Sequence, residues 1–320
     1  MHILVVGGTG HIGSYLVPRL VMAGHDVTVV ARHPHPRHAD SRLGWETVRW
    51  VVADRLAEEQ TDAWINRMRA MSADVVIDVV AYDPEQNRRM VEAFRNRIRQ
   101  FIHIGTIWAY GPGGRVPYEE SDPRRPITEY GRRKARIEAE LQELWVTEGF
   151  PSTILHPGHI CGRKWLPIDP QGSRDGVGVY RKLAREEAVI LPDTGLATIH
   201  HVHADDIAQL CERAINCRSV ALGESFSAVG PYAMTLAGCC RAVARLFGKE
   251  PKLTFAPLAE MKRHVGAVSA GIIEEHVVHS PCASIAKAQR LLGYEPRYTT
   301  EQIYAESLEA LLESGTLKLD

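Results

Sequence analysis

The sequence predicts an α/β fold: a doubly wound parallel sheet with a smaller C-terminal α/β domain. Three observations lead there. Short unbroken apolar runs, such as Ile3 to Val6 and Val75 to Val80, read as strands covered on both faces. Amphipathic patterns of helical period lie between them, at about 12–23, 57–71, 86–97 and 129–148. A glycine-rich turn at 7–13 joins the first run to the first helical pattern. Right-handed crossovers wind such a chain onto both faces of one sheet.

Taken in order, the strands are Ile3 to Val6, Asp26 to Ala31, Thr47 to Val52, Val75 to Val80, Phe101 to Gly105 and Thr153 to His156. After Pro157 the pattern loosens. Residues 162–180 are rich in Gly, Pro and Asp without periodicity and read as a loop near a site. Helical patterns follow at 181–188 and 235–247, with strand-like pieces at Val189 to Leu191, Ile199 to Val202, Phe226 to Val229 and Lys252 to Phe255. The expected division is 1–163 plus about 200–230 for the sheet domain, and about 164–199 plus 231–320 for the smaller, substrate-binding domain.

Bulk properties narrow the function classes. With 320 residues, 45% of them hydrophobic, the chain can bury a sizeable core. Thirty-eight Lys and Arg balance 39 Asp and Glu, so nothing in the overall charge draws it to nucleic acid or membrane. The opening MHILVVGGTG runs directly into a strand, without the pattern of a signal peptide, and no apolar run is long enough to span a bilayer. The six cysteines form no C-x-x-C pair, and reduced thiols in a cytoplasm are the simplest expectation.

The turn Gly7-Gly8-Thr9-Gly10-His11-Ile12-Gly13 satisfies G-x-G-x-x-G between strand and helix. Glycines let the backbone approach a pyrophosphate, and the helix N-terminus faces its charge. Dinucleotide binding is therefore expected, against the alternative of a turn without ligand. The second strand ends Ala31-Arg32, where an NAD reader usually places an acid. His33, His35, Arg37 and His38 follow. A cationic loop suits a 2′-phosphate, so NADP is preferred over NAD; a solvated basic loop is the other reading. Asp54, after the third strand, is positioned to accept from an adenine amino group.

Tyr130 and Lys134 are four residues apart near the start of a long helical pattern, which puts them on one face. A phenol titrates near pH ~10, and a neighbouring ammonium favours its ionised form. The pair can relay a proton during hydride chemistry at a carbinol or carbonyl carbon.

These motifs resemble the extended short-chain dehydrogenase/reductase family, the NAD(P)-dependent sugar epimerases, dehydratases and reductases, over nearly the whole chain. His103 to Gly111 is similar to its S-[ST]-x-x-V-Y-G segment, and Pro126 to Lys134 to its P-x-x-x-Y-G-x-x-K stretch. Leu155 to Gly162 resembles L-R-P-x-N-x-Y-G, His203 to Ala208 resembles H-V-D-D-[VI]-A, and Lys287 to Pro296 resembles the closing K-A-x-x-x-L-G-[YW]-x-P. The resemblance implies a Rossmann domain, a homodimer through the Tyr130 helix and the 86–97 helix, and Thr106 as the catalytic hydroxyl beside Tyr130 and Lys134. It implies further cofactor contacts at Val80, Ala81, Lys134, His156, Pro157 and His159. Trp108, Tyr130, His159 and His201 are the implied substrate wall.

Departures from the family pattern refine this. Ile107 and Trp108 stand where sugar-nucleotide dehydratases carry an Asp-Glu pair, which disfavours dehydration. His156 and His159 stand where nucleotide-sugar enzymes often have Arg and Asn, and Cys161 replaces a tyrosine. His200, His201 and His203 lack a set of partners at ligand spacing, so no metal is expected. The expected function is NAD(P)-dependent oxidation, reduction or epimerisation at a hydroxyl or keto carbon of a sugar or sugar nucleotide. The alternatives are an NADPH-dependent carbonyl reductase acting on a non-sugar, or an inactive nucleotide- or RNA-binding relative.

Overall fold

The computed structural model describes residues 1–36, 43–173 and 176–319. Arg37 and His38, two of the expected basic-loop residues, lie outside them. In chain order the first half runs β1 (His2–Val6), α1 (His11–Met22), β2 (Asp26–Ala31), β3 (Arg49–Val52), α2 (Arg55–Glu58), α3 (Ala63–Ala70), β4 (Val75–Asp78), α4 (Pro84–Phe94), β5 (Gln100–Ile104), α5 (Glu129–Glu148) and β6 (Ser152–Pro157). A short 3₁₀ turn, Ile107–Ala109, follows β5. The second half runs β7 (His159–Cys161), α6 (Gly178–Ala184), β8 (Ala188–Pro192), β9 (Thr198–Ile199), β10 (His201–His203), α7 (Ala204–Asn216), α8 (Arg218–Ala221) and β11 (Ser225–Ala228). It closes with β12 (Met234–Thr235), α9 (Leu236–Leu246), β13 (Lys252–Ala256), α10 (Leu258–His264), α11 (Ala267–His276), α12 (Ala286–Leu292) and α13 (Thr300–Glu313).

Seven strands form one parallel sheet in the order β11-β6-β5-β4-β1-β2-β3. The order reverses between β1 and β4, which opens a crevice at the carboxyl ends of those strands. Alternate residues of β1 serve opposite faces. Ile3 and Val5 pack with Leu16, Leu20, Ile207 and Leu210 of α1 and α7. Leu4 and Val6 pack with Trp64, Met90, Ile137 and Leu141 of α3, α4 and α5. A third cluster, built on Tyr180, Val189, Leu191, Cys240 and Tyr304, organises the segments after β7.

The strand read as Ile199 to Val202 is broken at His200, whose ring turns away to bond Gly230 O (3.0 Å) and the Ala283 amide (3.1 Å). The helix expected at 57–71 is two pieces. Asp54 caps the first by accepting from the Leu56 and Ala57 amides, and Asp62 starts the second. Asp competes with the backbone inside helices and favours their ends. Helices α7 and α10 to α13 had not been read as helices. None of the six cysteines is bridged. Among the described residues no helix is long and apolar enough to cross a membrane, and no group of His, Cys, Asp and Glu is placed to hold a metal.

Candidate active site

The glycine turn sits in the β1–β4 crevice. A side chain at Gly13 would meet the Gly8 carbonyl oxygen at 2.1 Å, so α1 can lie against the turn only with glycine there. Gly10 differs: the nearest atom to an added Cβ is the Gly7 carbonyl oxygen at 3.5 Å. Glycine at that position leaves room above the helix N-terminus that no protein atom fills, the cradle a pyrophosphate needs. A cavity of about 310 Å³ continues from the turn, lined by Gly7, Thr9, Gly10, Arg32, Asp54, Val80 and Tyr82 among others. Arg32 and His33 are exposed at its rim. The donor set fits a dinucleotide: backbone amides at the turn, cations at one wall, a carboxylate at another. Asp54 already spends one oxygen on the cap of α2. A second hollow of about 270 Å³, among Arg19, Gln209, Glu212 and Arg297, holds none of the expected site residues.

Other residues expected to touch cofactor lie elsewhere. Ile12 is in the core. His11 is buried, stacked on Trp165 at 5.1 Å and edge-on to Tyr15. Gly8, Ala81 and Pro157 are buried in the backbone around the crevice. His156 is 1% exposed, and both its ring nitrogens contact protein atoms, the Thr106 carbonyl and the Glu138 carboxylate, each at 3.1 Å. Its side chain is thus turned into the protein, because the α5 carboxylate below it is the better partner.

Helix α5 carries Tyr130 and Lys134. Thr128 caps it, accepting from the Gly131 amide at 2.9 Å. A Cβ on Gly131 would fall 2.6 Å from the Trp108 carbonyl oxygen, so this glycine lets the helix start close to the 3₁₀ turn. Lys134 is buried and donates to Ala81 O (2.6 Å) and Ile104 O (2.7 Å), at the ends of β4 and β5. An ammonium has three donors, so one remains for a ligand. Burial pushes the Lys134 ammonium down to about 7, Asp78 opposing and Arg55 assisting. Arg55 Nη1 in turn donates to both oxygens of the fully buried Asp78 (3.0 and 2.9 Å). Tyr130 is 37% exposed, its ring 6.5 Å from that of Tyr82. Lys134 Nζ in turn lies 5.0 Å from the Tyr82 ring centre. Tyr82, which the sequence reading missed, therefore links the cavity to the Tyr-Lys pair. Its place directly after Val80 and Ala81 at a strand end was the available signal.

Thr106 is buried in extended backbone and starts the 3₁₀ turn, its hydroxyl accepting from the Trp108 amide at 3.3 Å. Trp108 is buried and ringed edge-on by His159 and His276, each at 4.7 Å, and by His279 at 6.0 Å. His201, 1% exposed, lies 6.0 Å from His159, and burial, then His200, pushes its imidazole down to about 3. His203 caps α7 and contacts Glu306 at 2.9 Å.

Residues 3–227 match the NAD dependent epimerase/dehydratase family. The chain belongs to it. Among similar proteins, a 2'-dehydrokanamycin reductase of Streptomyces kanamyceticus is 29% identical over 68% of this chain. The match spans 59% of that protein's own length. The chloroplast stem-loop binding protein of 41 kDa b of Arabidopsis thaliana is 24% identical over 99% of this chain and 80% of its own. Among solved structures, a UDP-glucuronic acid 4-epimerase of Bacillus cereus, in complex with UDP-glucuronic acid and NAD, superposes with a TM-score of 0.72 at 18% identity. It covers 98% of this chain and 100% of that one. The chain thus shares the doubly wound fold of these solved structures.

Proposed function

We propose that the protein oxidises or reduces a hydroxyl or keto carbon of a sugar or sugar nucleotide, using Thr106, Tyr130 and Lys134. The observation that carries this is Lys134: a buried ammonium at the ends of β4 and β5, one turn from Tyr130 on α5. The glycine turn and the cavity beside it hold the dinucleotide, with NADP preferred because Arg32 and His33, rather than an acid, form the rim. A nicotinamide dinucleotide bound there supplies a reversible hydride acceptor. In the oxidative direction Tyr130 withdraws the hydroxyl proton, and the Thr106 hydroxyl hydrogen-bonds the same oxygen. Lys134 favours the ionised phenol and uses its remaining donor on the cofactor ribose. A ketone that turns and is reduced on its other face gives epimerisation; one that leaves gives dehydrogenation or reduction. Ile107 and Trp108 are apolar and buried beside Thr106, which disfavours dehydration there.

The substrate wall in this reading is Trp108, His159 and His201, covered by residues 164–199 plus 231–320, over a sheet domain of 1–163 plus 200–230. The protein acts in the cytoplasm as a homodimer. The decisive variant is Tyr130→Phe: turnover should fall by roughly a hundred- to ten-thousandfold with dinucleotide affinity kept. Full activity in this variant rejects the reading. The full-length similarity to a stem-loop binding protein favours a second one, binding without catalysis. RNA retention on a filter that weakens steeply with salt, with Tyr130→Phe silent, would select it.

A further inference from the structure

His156 sits between two acceptors. One ring nitrogen, Nδ1, is 3.1 Å from the Thr106 carbonyl oxygen, and the other, Nε2, is 3.1 Å from Glu138 Oε1. A carbonyl oxygen cannot donate, so Nδ1 must. The same holds for Nε2 if Glu138 is a carboxylate. Arg124 settles that: its Nε reaches Oε2 at 2.9 Å and its Nη2 reaches Oε1 at 2.5 Å, a bidentate geometry that requires an ionised partner. Gln142 donates to Oε1 as well, at 3.4 Å. Burial opposes the Glu138 charge, but His156 and Arg124 together hold its carboxyl well below the usual carboxylate range. Every hydrogen bond is satisfied only with a proton on each nitrogen of His156.

We infer that His156 is a positioning residue: as an imidazolium braced on Glu138, it holds the Thr106 backbone so that the Thr106 hydroxyl meets the substrate oxygen. This rests on the proposed role of Thr106. A neutral ring would have to give up one of these two bonds. The surrounding groups are few. Helix α5 presents Glu138, with Lys134 one turn earlier, and the segment before it presents Arg124. Tyr110 meets the ring edge-on at 5.4 Å. From β11, Ser227 is paired with His156 in register, and its amide is bonded by Glu120 at 2.8 Å. His103 on β5 is fully buried, and burial, then Lys134 and His156, keep it neutral.

The test uses the whole protein labelled with ¹⁵N-histidine and ¹³C-threonine. At pH 7 both His156 ring nitrogens, assigned by their loss in His156→Gln, should resonate as protonated. The Thr106 carbonyl shift should differ between the parent and His156→Gln at that pH, because the Nδ1 bond to it is lost. An unprotonated nitrogen at pH 7, or a Thr106 carbonyl shift unchanged in His156→Gln, overturns the inference whether or not the protein is an enzyme. With a substrate in hand, His156→Gln should lower kcat about tenfold at little change in KM. His156→Arg, a permanent cation, should restore the rate. Unchanged kcat in a folded His156→Gln also overturns it. Full activity of Tyr130→Phe would instead sink the proposed function and leave the resonance result standing.

Discussion

Replacing Lys134 with methionine tests the buried ammonium through stability alone. The folded chain holds this group at about 7 against an ordinary 10.5, and burial is the leading cause. Between those values the unfolded chain carries a proton that the folded chain has released, so this site makes stability rise with pH. At pH 7 the ammonium costs about 4 kcal/mol relative to its neutral form, and by pH ~9 roughly half of that is gone. Methionine removes the cost but leaves the Ala81 and Ile104 carbonyls without this donor, at ~1–3 kcal/mol each. At pH 7 these terms nearly offset, and the variant should unfold within about 2 kcal/mol of the parent. At pH 9 the parent should have gained about 2 kcal/mol on it. Urea unfolding followed by circular dichroism at both pH values measures the difference, in which other titrating groups cancel. A stability gap that stays constant from pH 7 to 9 refutes the placement of Lys134 as a desolvated ammonium.

Asp78→Asn leaves the buried Arg55 guanidinium with Glu59 as its remaining carboxylate partner and should cost about 1–3 kcal/mol in the same urea assay; no measurable cost would mean water reaches the pair. Gly13→Ala places a carbon on the Gly8 carbonyl, so dinucleotide affinity measured by calorimetry should fall at least tenfold, and unchanged affinity would remove the turn from the site. Arg32→Ala should narrow the preference for NADP(H) over NAD(H) by a factor of about ten, and a parent that binds NAD(H) as tightly as NADP(H) contradicts the rim argument. Glu138 has a lowered carboxyl, so its contribution is whole above the unfolded carboxylate range and fades as pH falls below it. Glu138→Gln should therefore keep most of its stability deficit at pH ~4 and lose it only on further acidification, as thermal melts at pH ~7, ~4 and ~2 would show.

Short apolar runs and the glycine turn made the sheet legible, because β1, β2 and β4 to β6 are largely buried on both faces. Helix α5 was equally plain, with a threonine cap and a glycine after its last residue. Helices α10 and α11 were not, since their small and charged residues show no sustained stripe. Within the site, backbone motifs spoke through the sequence, whereas side-chain direction did not. His156 has the right neighbours for a cofactor wall, and only the carboxylate of Glu138, one helical turn beyond Lys134, reveals that its ring turns inward. That spacing, Tyr130-Lys134-Glu138, was visible as a repeat of four and could have been followed one step further. Tyr82 was missed although it follows Val80 and Ala81, because only its position in the chain and no repeating pattern marks it.

The seventh strand has a consequence for how the chain matures. β11 is laid against β6 only after β7 to β10 and α6 to α8 have been made. Until then β6 offers an open row of backbone donors and acceptors to any other extended chain. Parallel pairing across such a distance in sequence is slow to nucleate. A fragment cut before Ser225 would keep the glycine turn and the Tyr-Lys helix yet be trapped in aggregates. The late arrival of Phe226 and its neighbours thus decides whether an otherwise finished half stays in solution.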